Sequence, residues 1–110
     1  MKRGEIWIAA GGMYAGKPRP VVIIQDDAFA ELDSLTFFPL TTHDLNIPAL
    51  RVPISVSASD GPTVASFVEI DKVTTLHRRQ FSRRIGVAST SDMRNIERAM
   101  LAFLGIGSPR

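Results

Sequence analysis

The sequence predicts a small, mostly β barrel closed by a single C-terminal helix. Three observations carry that reading: short β-branched and aromatic runs punctuated by glycine and proline, only one segment with helical periodicity, and no repeat or linker along 110 residues. Residues 5–9, EIWIA, form the first expected strand. Residues 21–25, VVIIQ, are a continuous β-branched run typical of a buried strand. The third, SLTFFPLT at 34–41, contains Pro39, which implies an edge position, a bulge or the strand's end. RVPISV at 51–56 is a weaker fourth, again interrupted by proline. SFVEIDKV at 66–73 alternates, with Phe67, Glu69 and Asp71 set against Val68 and Ile70, and RIGVAS at 84–89 is the sixth. In the last segment Met93, Ile96, Met100, Phe103 and Leu104 recur at helical spacing and read as core or dimer packing. Ser91 is the expected N-cap, Asp92 suits the positive end of the helix dipole, and Gly105 is the natural stop.

Length and composition bound the function. The chain fits one domain, 1–110, and 45% hydrophobic residues are enough for a real core. Without cysteine there is neither a disulfide framework nor a thiolate metal site. No secretory signal or membrane-spanning run is apparent, so a soluble cytoplasmic domain with no membrane partner is expected. The net charge of +2 hides an asymmetry. Residues 1–71 carry five Lys/Arg against nine Asp/Glu, whereas residues 72–110 carry eight against two. The run HRRQFSRR, 77–84, suits a polyanion, a solvated face or an acidic protein partner.

The loop GGMYAGKPRP, 11–20, comes close to a phosphate-cradling P-loop. It fails because Pro18 stands where a magnesium-holding hydroxyl is needed, and a strand follows instead of a helix. Arg19, stiffened between Pro18 and Pro20, can still present a planar fork to a phosphate, or pair with a nearby carboxylate. In the same loop Lys17 can assist with backbone phosphates, and Tyr14 can stack on a base or anchor the loop. In the 42–50 loop, Asn46 can read a base edge. His43 lies two residues beyond Thr41 and shares its face if the strand continues; otherwise it is a surface histidine. His77 is a phosphate neighbour or a bystander. Neither histidine has a partner at metal-ligand spacing, so no metal or other cofactor is expected.

RGEIW, GKPRPVVIIQDD, FFPLTT, SFVEIDKV, RIG and a final helix ending in LGI follow one another in an order that resembles the MazF/PemK family of toxin endoribonucleases. The resemblance implies an SH3-like small barrel of the CcdB/PemK type with a C-terminal α-helix, and a homodimer. It also implies metal-independent cleavage of single-stranded RNA to 2′,3′-cyclic phosphate and 5′-hydroxyl ends. A cognate antitoxin would lay an extended C-terminal segment in the RNA groove. Carried over residue by residue, the catalytic arginine is Arg19 of Arg19-Pro20 and its partner is Thr41 of Pro39-Leu40-Thr41. Ser66 and Asp71 fall at groove-lining positions and join Lys17, Tyr14, Thr42, His43 and Asn46 as RNA-binding candidates. Lys72 and Thr74 stand where the family pattern continues with a glutamine and often a basic residue, so the cut sequence is not carried over. The alternatives are a CcdB-like inhibitor that binds DNA gyrase through its C-terminal helix, and an RNA-binding module without catalysis.

Overall fold

Seven strands form one sheet, and the only α-helix among the described residues follows them. The computed structural model describes residues 1–11, 16–57 and 63–107. The strands are β1 (Glu5–Ala9), β2 (Arg19–Ile23), β3 (Ser34–Thr41), β4 (Arg51–Ser57), β5 (Thr63–Glu69), β6 (Thr74–His77) and β7 (Phe81–Val87), with α1 at Thr90–Leu104. The antiparallel order is β4-β5-β3-β2-β1-β7, with β6 joining β3 beside β5. The outermost strands, β4 and β7, approach each other without a ladder among the described residues, so the sheet curls into a half-barrel. The expected small β barrel with a C-terminal helix is therefore what forms.

The VVI run of β2 is apolar throughout because both faces of the sheet are covered. Val22 joins Ile6, Phe38, Leu40, Val68 and the helix residue Ile96 on one face. Val21 and Ile23 join Ala9, Leu35, Phe37 and Phe81 on the other, where the Phe37 and Phe81 rings meet edge to face at 5.6 Å. Alternation along β3 sends Leu35 and Phe37 one way and Phe38 and Leu40 the other, as the period-two pleat requires. Each fully buried side chain of this size contributes roughly 1.5–3 kcal/mol.

Several boundaries differ from the sequence reading. β2 begins two residues earlier than expected and takes in Arg19 and Pro20, whose partner on β1 is Ile8. Pro39 lies inside β3, opposite Val21, in the interval where the other edge of β3 passes from β6 to β5. Pro39 thus sits at neither an edge strand nor a strand end, and the β2–β3 register runs through it without a shift. On its other edge it falls between the two ladders, where a missing N–H is tolerated. Pro53 is tolerated because β4 is an edge strand.

The strand expected at 66–73 is broken. β5 ends at Glu69, Ile70–Lys72 form a 3₁₀ turn, and β6 resumes at Thr74. The break lets one continuous segment serve two halves of β3. The sixth expected strand begins three residues earlier, at Phe81. The helix is capped by Ser89 rather than Ser91: the Ser89 hydroxyl accepts from the Asp92 amide at 2.9 Å, and Gly105 ends the helix at φ 69°. The apolar stripe also divides. Ile96 is buried and Met93 and Met100 pack on the core, while Phe103 and Leu104 are exposed. Among the described residues no helix is long and apolar enough to cross a membrane.

Candidate active site

The β2–β3 register runs Val21 opposite Pro39, Val22 opposite Phe38 and Ile23 opposite Phe37. Two more steps along the same register set Arg19 level with Thr41. A groove of ≈ 530 Å³ opens at this point, lined by Lys17, Pro18, Arg19, Pro20, Leu40, Thr41, Thr42 and Ser66. The two prolines fix the backbone on either side of Arg19, and its side chain is only a quarter exposed. Its Nη2 donates to the Leu40 carbonyl at 3.2 Å and lies 3.8 Å from Glu69 Oε1. Of the two local alternatives for Arg19, the pairing with a carboxylate is realised, and the side chain also lines the open groove.

Thr41 ends its strand by its own hydrogen bonding. Its Oγ1 accepts from the His43 amide at 3.1 Å, which turns the chain out of the sheet. The strand therefore does not continue to His43, which is exposed and does not line the groove. With an oxygen lone pair engaged in this way, the Thr41 hydroxyl is suited to donate its proton to an anion in the groove.

The other candidates divide. Lys17, Thr42 and Ser66 line the groove with Arg19 and Thr41, and Ser66 is buried. Asn46 is exposed in the 42–50 loop at φ 61°, its amide held by Asp44 Oδ1 at 2.8 Å, and does not line the groove. Asp71 also lies off the groove lining, engaged by Arg51 at 2.6 Å and Lys72 at 3.7 Å. Burial alone would raise its pKa; the Arg51 hydrogen bond, its own backbone N–H and the charges of Arg51 and Lys72 outweigh that and hold it below the usual carboxylate value. Tyr14 lies outside the described residues.

The basic run 77–84 is divided among several tasks. Arg78 donates to the carbonyls of Ala30 and Leu32, and Arg84 pairs with Glu5 at 3.1 Å. His77 accepts from the Arg79 amide through Nδ1, capping a 3₁₀ turn. Among the described residues no three His, Cys, Asp or Glu side chains are gathered to hold a metal ion.

Sequence reasoning missed two residues here, Arg51 and Glu69. They are direct cross-strand partners on β4 and β5, each 7% exposed, with Arg51 Nη2 3.6 Å from Glu69 Oε2. The charges run as a ladder, Arg19–Glu69–Arg51–Asp71, from the groove into the body of the sheet.

Three comparisons bear on this arrangement. A family model described as "PemK-like, MazF-like toxin of type II toxin-antitoxin system" matches residues 2–104. The chain is 47% identical over 107 residues to a probable endoribonuclease MazF of Mycolicibacterium smegmatis, covering 96% of this chain and 98% of that one. Its fold is similar to a mycobacterial endoribonuclease solved in complex with its cognate antitoxin, with TM-score 0.79, 22% identity and 99% of each chain covered. It is likewise similar to the Mycobacterium tuberculosis toxin MazF-mt6, with TM-score 0.78, 24% identity, and 94% and 99% covered.

Proposed function

Because the chain belongs to the PemK-like, MazF-like toxins of type II toxin–antitoxin systems, we propose that it is a metal-independent endoribonuclease cutting single-stranded RNA in the Arg19–Thr41 groove. One observation carries the placement: an arginine and a threonine from adjacent strands converge on a single open groove beside Lys17. In the proposed reaction the ribose 2′-hydroxyl attacks the adjacent phosphorus. The new O2′–P bond forms as the P–O5′ bond breaks, leaving a 2′,3′-cyclic phosphate and a 5′-hydroxyl. The proton lost from O2′ is balanced by the one gained at O5′. Charge builds on the non-bridging oxygens in between, where the fixed guanidinium of Arg19 and the Thr41 hydroxyl stabilise it. Arginine stays protonated, so the 2′-hydroxyl gives its proton to another group or to water.

Lys17, Thr42 and Ser66 bind the strand along the groove, His43 and Asn46 contact it from the 42–50 loop, and Tyr14 supplies a ring for base stacking. A cognate antitoxin lays an extended segment over the same groove, consistent with a similar fold having been solved bound to its own antitoxin. The exposed apolar residues at the end of α1 and just beyond it (Leu101, Phe103, Leu104 and Ile106) suit burial against another protein surface, which favours a homodimer. A gyrase-inhibiting mode through α1 would have no need of the Arg19–Thr41 groove.

Incubating the purified protein with a long RNA in EDTA tests the reading. Discrete fragments are expected from the native chain and none from Arg19→Ala. Intact RNA across varied substrates, or toxicity undiminished in Arg19→Ala, would overturn it.

A further inference from the structure

We infer that Glu69, held in place by Arg51, is a positioning residue that fixes the Arg19 guanidinium in the wall of the groove. The inference rests on the role proposed for Arg19. Glu69 reaches in two directions from the end of β5: its Oε2 faces Arg51 at 3.6 Å and its Oε1 faces Arg19 at 3.8 Å. Arg51 is itself anchored, its Nη1 donating to the Leu50 carbonyl at 2.7 Å and to Asp71 Oδ1 at 2.6 Å. The far end of the ladder is therefore rigid, and that rigidity is passed through one carboxylate to the residue at the groove. The same Arg19 Nη2 also donates to the Leu40 carbonyl, so one nitrogen of the guanidinium is shared between two fixed oxygens.

Stability does not account for this arrangement. Taking Arg51 and Glu69 out of water is costly, and an apolar pair of similar volume at the same cross-strand position would serve the sheet as well or better. Among the described residues the Arg51 Nε has no hydrogen-bond partner, which adds to that cost. Such a cost makes sense where a long, rotamer-rich side chain must be held in one orientation at a reacting centre. A cation placed in advance stabilises developing charge without having to reorient as the reaction proceeds.

The test compares Glu69→Gln, Glu69→Asp and, as control, Glu97→Gln, which removes a helix ion pair with Arg3 far from the groove. Each is assayed on a short RNA spanning one mapped cut site, with folding checked by circular dichroism. Glu69→Gln should lower kcat about 100-fold while KM stays within about threefold, the pattern of a displaced catalytic group. Glu69→Asp keeps the charge on a shorter stem and should recover roughly tenfold of that loss; Glu97→Gln should match the native chain. A second readout is independent of cleavage: low-temperature ¹⁵N NMR of the arginine side chains, with Arg19 assigned through Arg19→Lys. Separate Nη signals from a guanidinium that cannot rotate freely should be seen in the native chain and should merge in Glu69→Gln.

Native kcat in Glu69→Gln, or unchanged Arg19 signals, would overturn the inference. If Glu69→Gln does not fold, native behaviour of Glu69→Asp in both assays overturns it. If the native chain cuts no RNA, the proposed function fails, and the NMR comparison still decides whether Glu69 holds Arg19.

Discussion

Replacing Arg51 by methionine isolates the charge ladder from its packing, because methionine preserves an unbranched apolar stem. The change leaves Glu69, 7% exposed, and Asp71, 22% exposed, without the cation they share. Breaking a buried ion pair by removing one partner costs about 3–5 kcal/mol. Two local features adjust that figure in opposite directions. The Arg51 Nε, without a partner among the described residues, disappears, which returns roughly 1 kcal/mol, and the Leu50 carbonyl loses its guanidinium donor, which takes a similar amount back. The two cancel and the net expectation stays at about 3–5 kcal/mol, a large share of the roughly 5–15 kcal/mol available to a small domain. With a urea slope of about 1.5 kcal/mol/M, the unfolding midpoint should fall by about 2–3 M.

The pH dependence provides an internal check. The folded-state pKa of Asp71 is lowered, since Arg51 and its neighbours outweigh the burial that would raise it. Its contribution is therefore complete above the unfolded carboxylate value of about 4 and is lost as pH falls through the lower folded value. The gap between native chain and Arg51→Met should be widest near neutrality and should narrow below about pH 4. Urea titrations followed by circular dichroism at several pH values measure both effects. A loss under about 1 kcal/mol at pH 7, or a gap that widens on acidification, would refute the reasoning.

Three further outcomes follow from the geometry. Ser89→Ala should cost about 1 kcal/mol of stability by removing the N-cap, and Ser91→Ala less than about 0.5, which reads out where the helix starts. Gly11→Ala should destabilise by about 1 kcal/mol or more, because the backbone there has φ 108°, which a residue with a Cβ adopts only under strain. Thr41→Val, nearly isosteric, should leave the unfolding midpoint within reach of the native value but slow RNA cleavage by about 10²–10³, with Thr41→Ser retaining most of the rate.

What could be read from the sequence, and what could not, divides along physical lines. Features set by local chemistry were legible: the doubly buried VVI run, the alternation of SLTFFPLT, the helix stripe, and the stiffened Pro18-Arg19-Pro20 segment. Arg19 and Thr41 were legible as candidates because the motif order pointed to them, and both line one groove. Glu69 and Arg51 were not, because their meeting depends on register. Asp60-Gly61 between two strand-like runs signals a hairpin, and a symmetric two-residue turn there would set Arg51 opposite Ile70. The observed partner is Glu69, one residue away, and a one-residue shift exchanges the two faces of a strand. The break at Ile70–Lys72 was hidden for a related reason. The alternation of SFVEIDKV continues across it in sequence, and only the need to pair with two halves of β3 interrupts it.

In the proposed reaction a neighbouring ribose hydroxyl attacks a phosphorus held between Arg19 and Thr41. Replacing the single ribose on the 5′ side of a mapped cut site by deoxyribose removes that nucleophile and nothing else. Cleavage at that position should disappear while the modified strand still competes for binding. Continued cutting at the deoxyribose site would mean that water or another nucleophile attacks, and would contradict the mechanism.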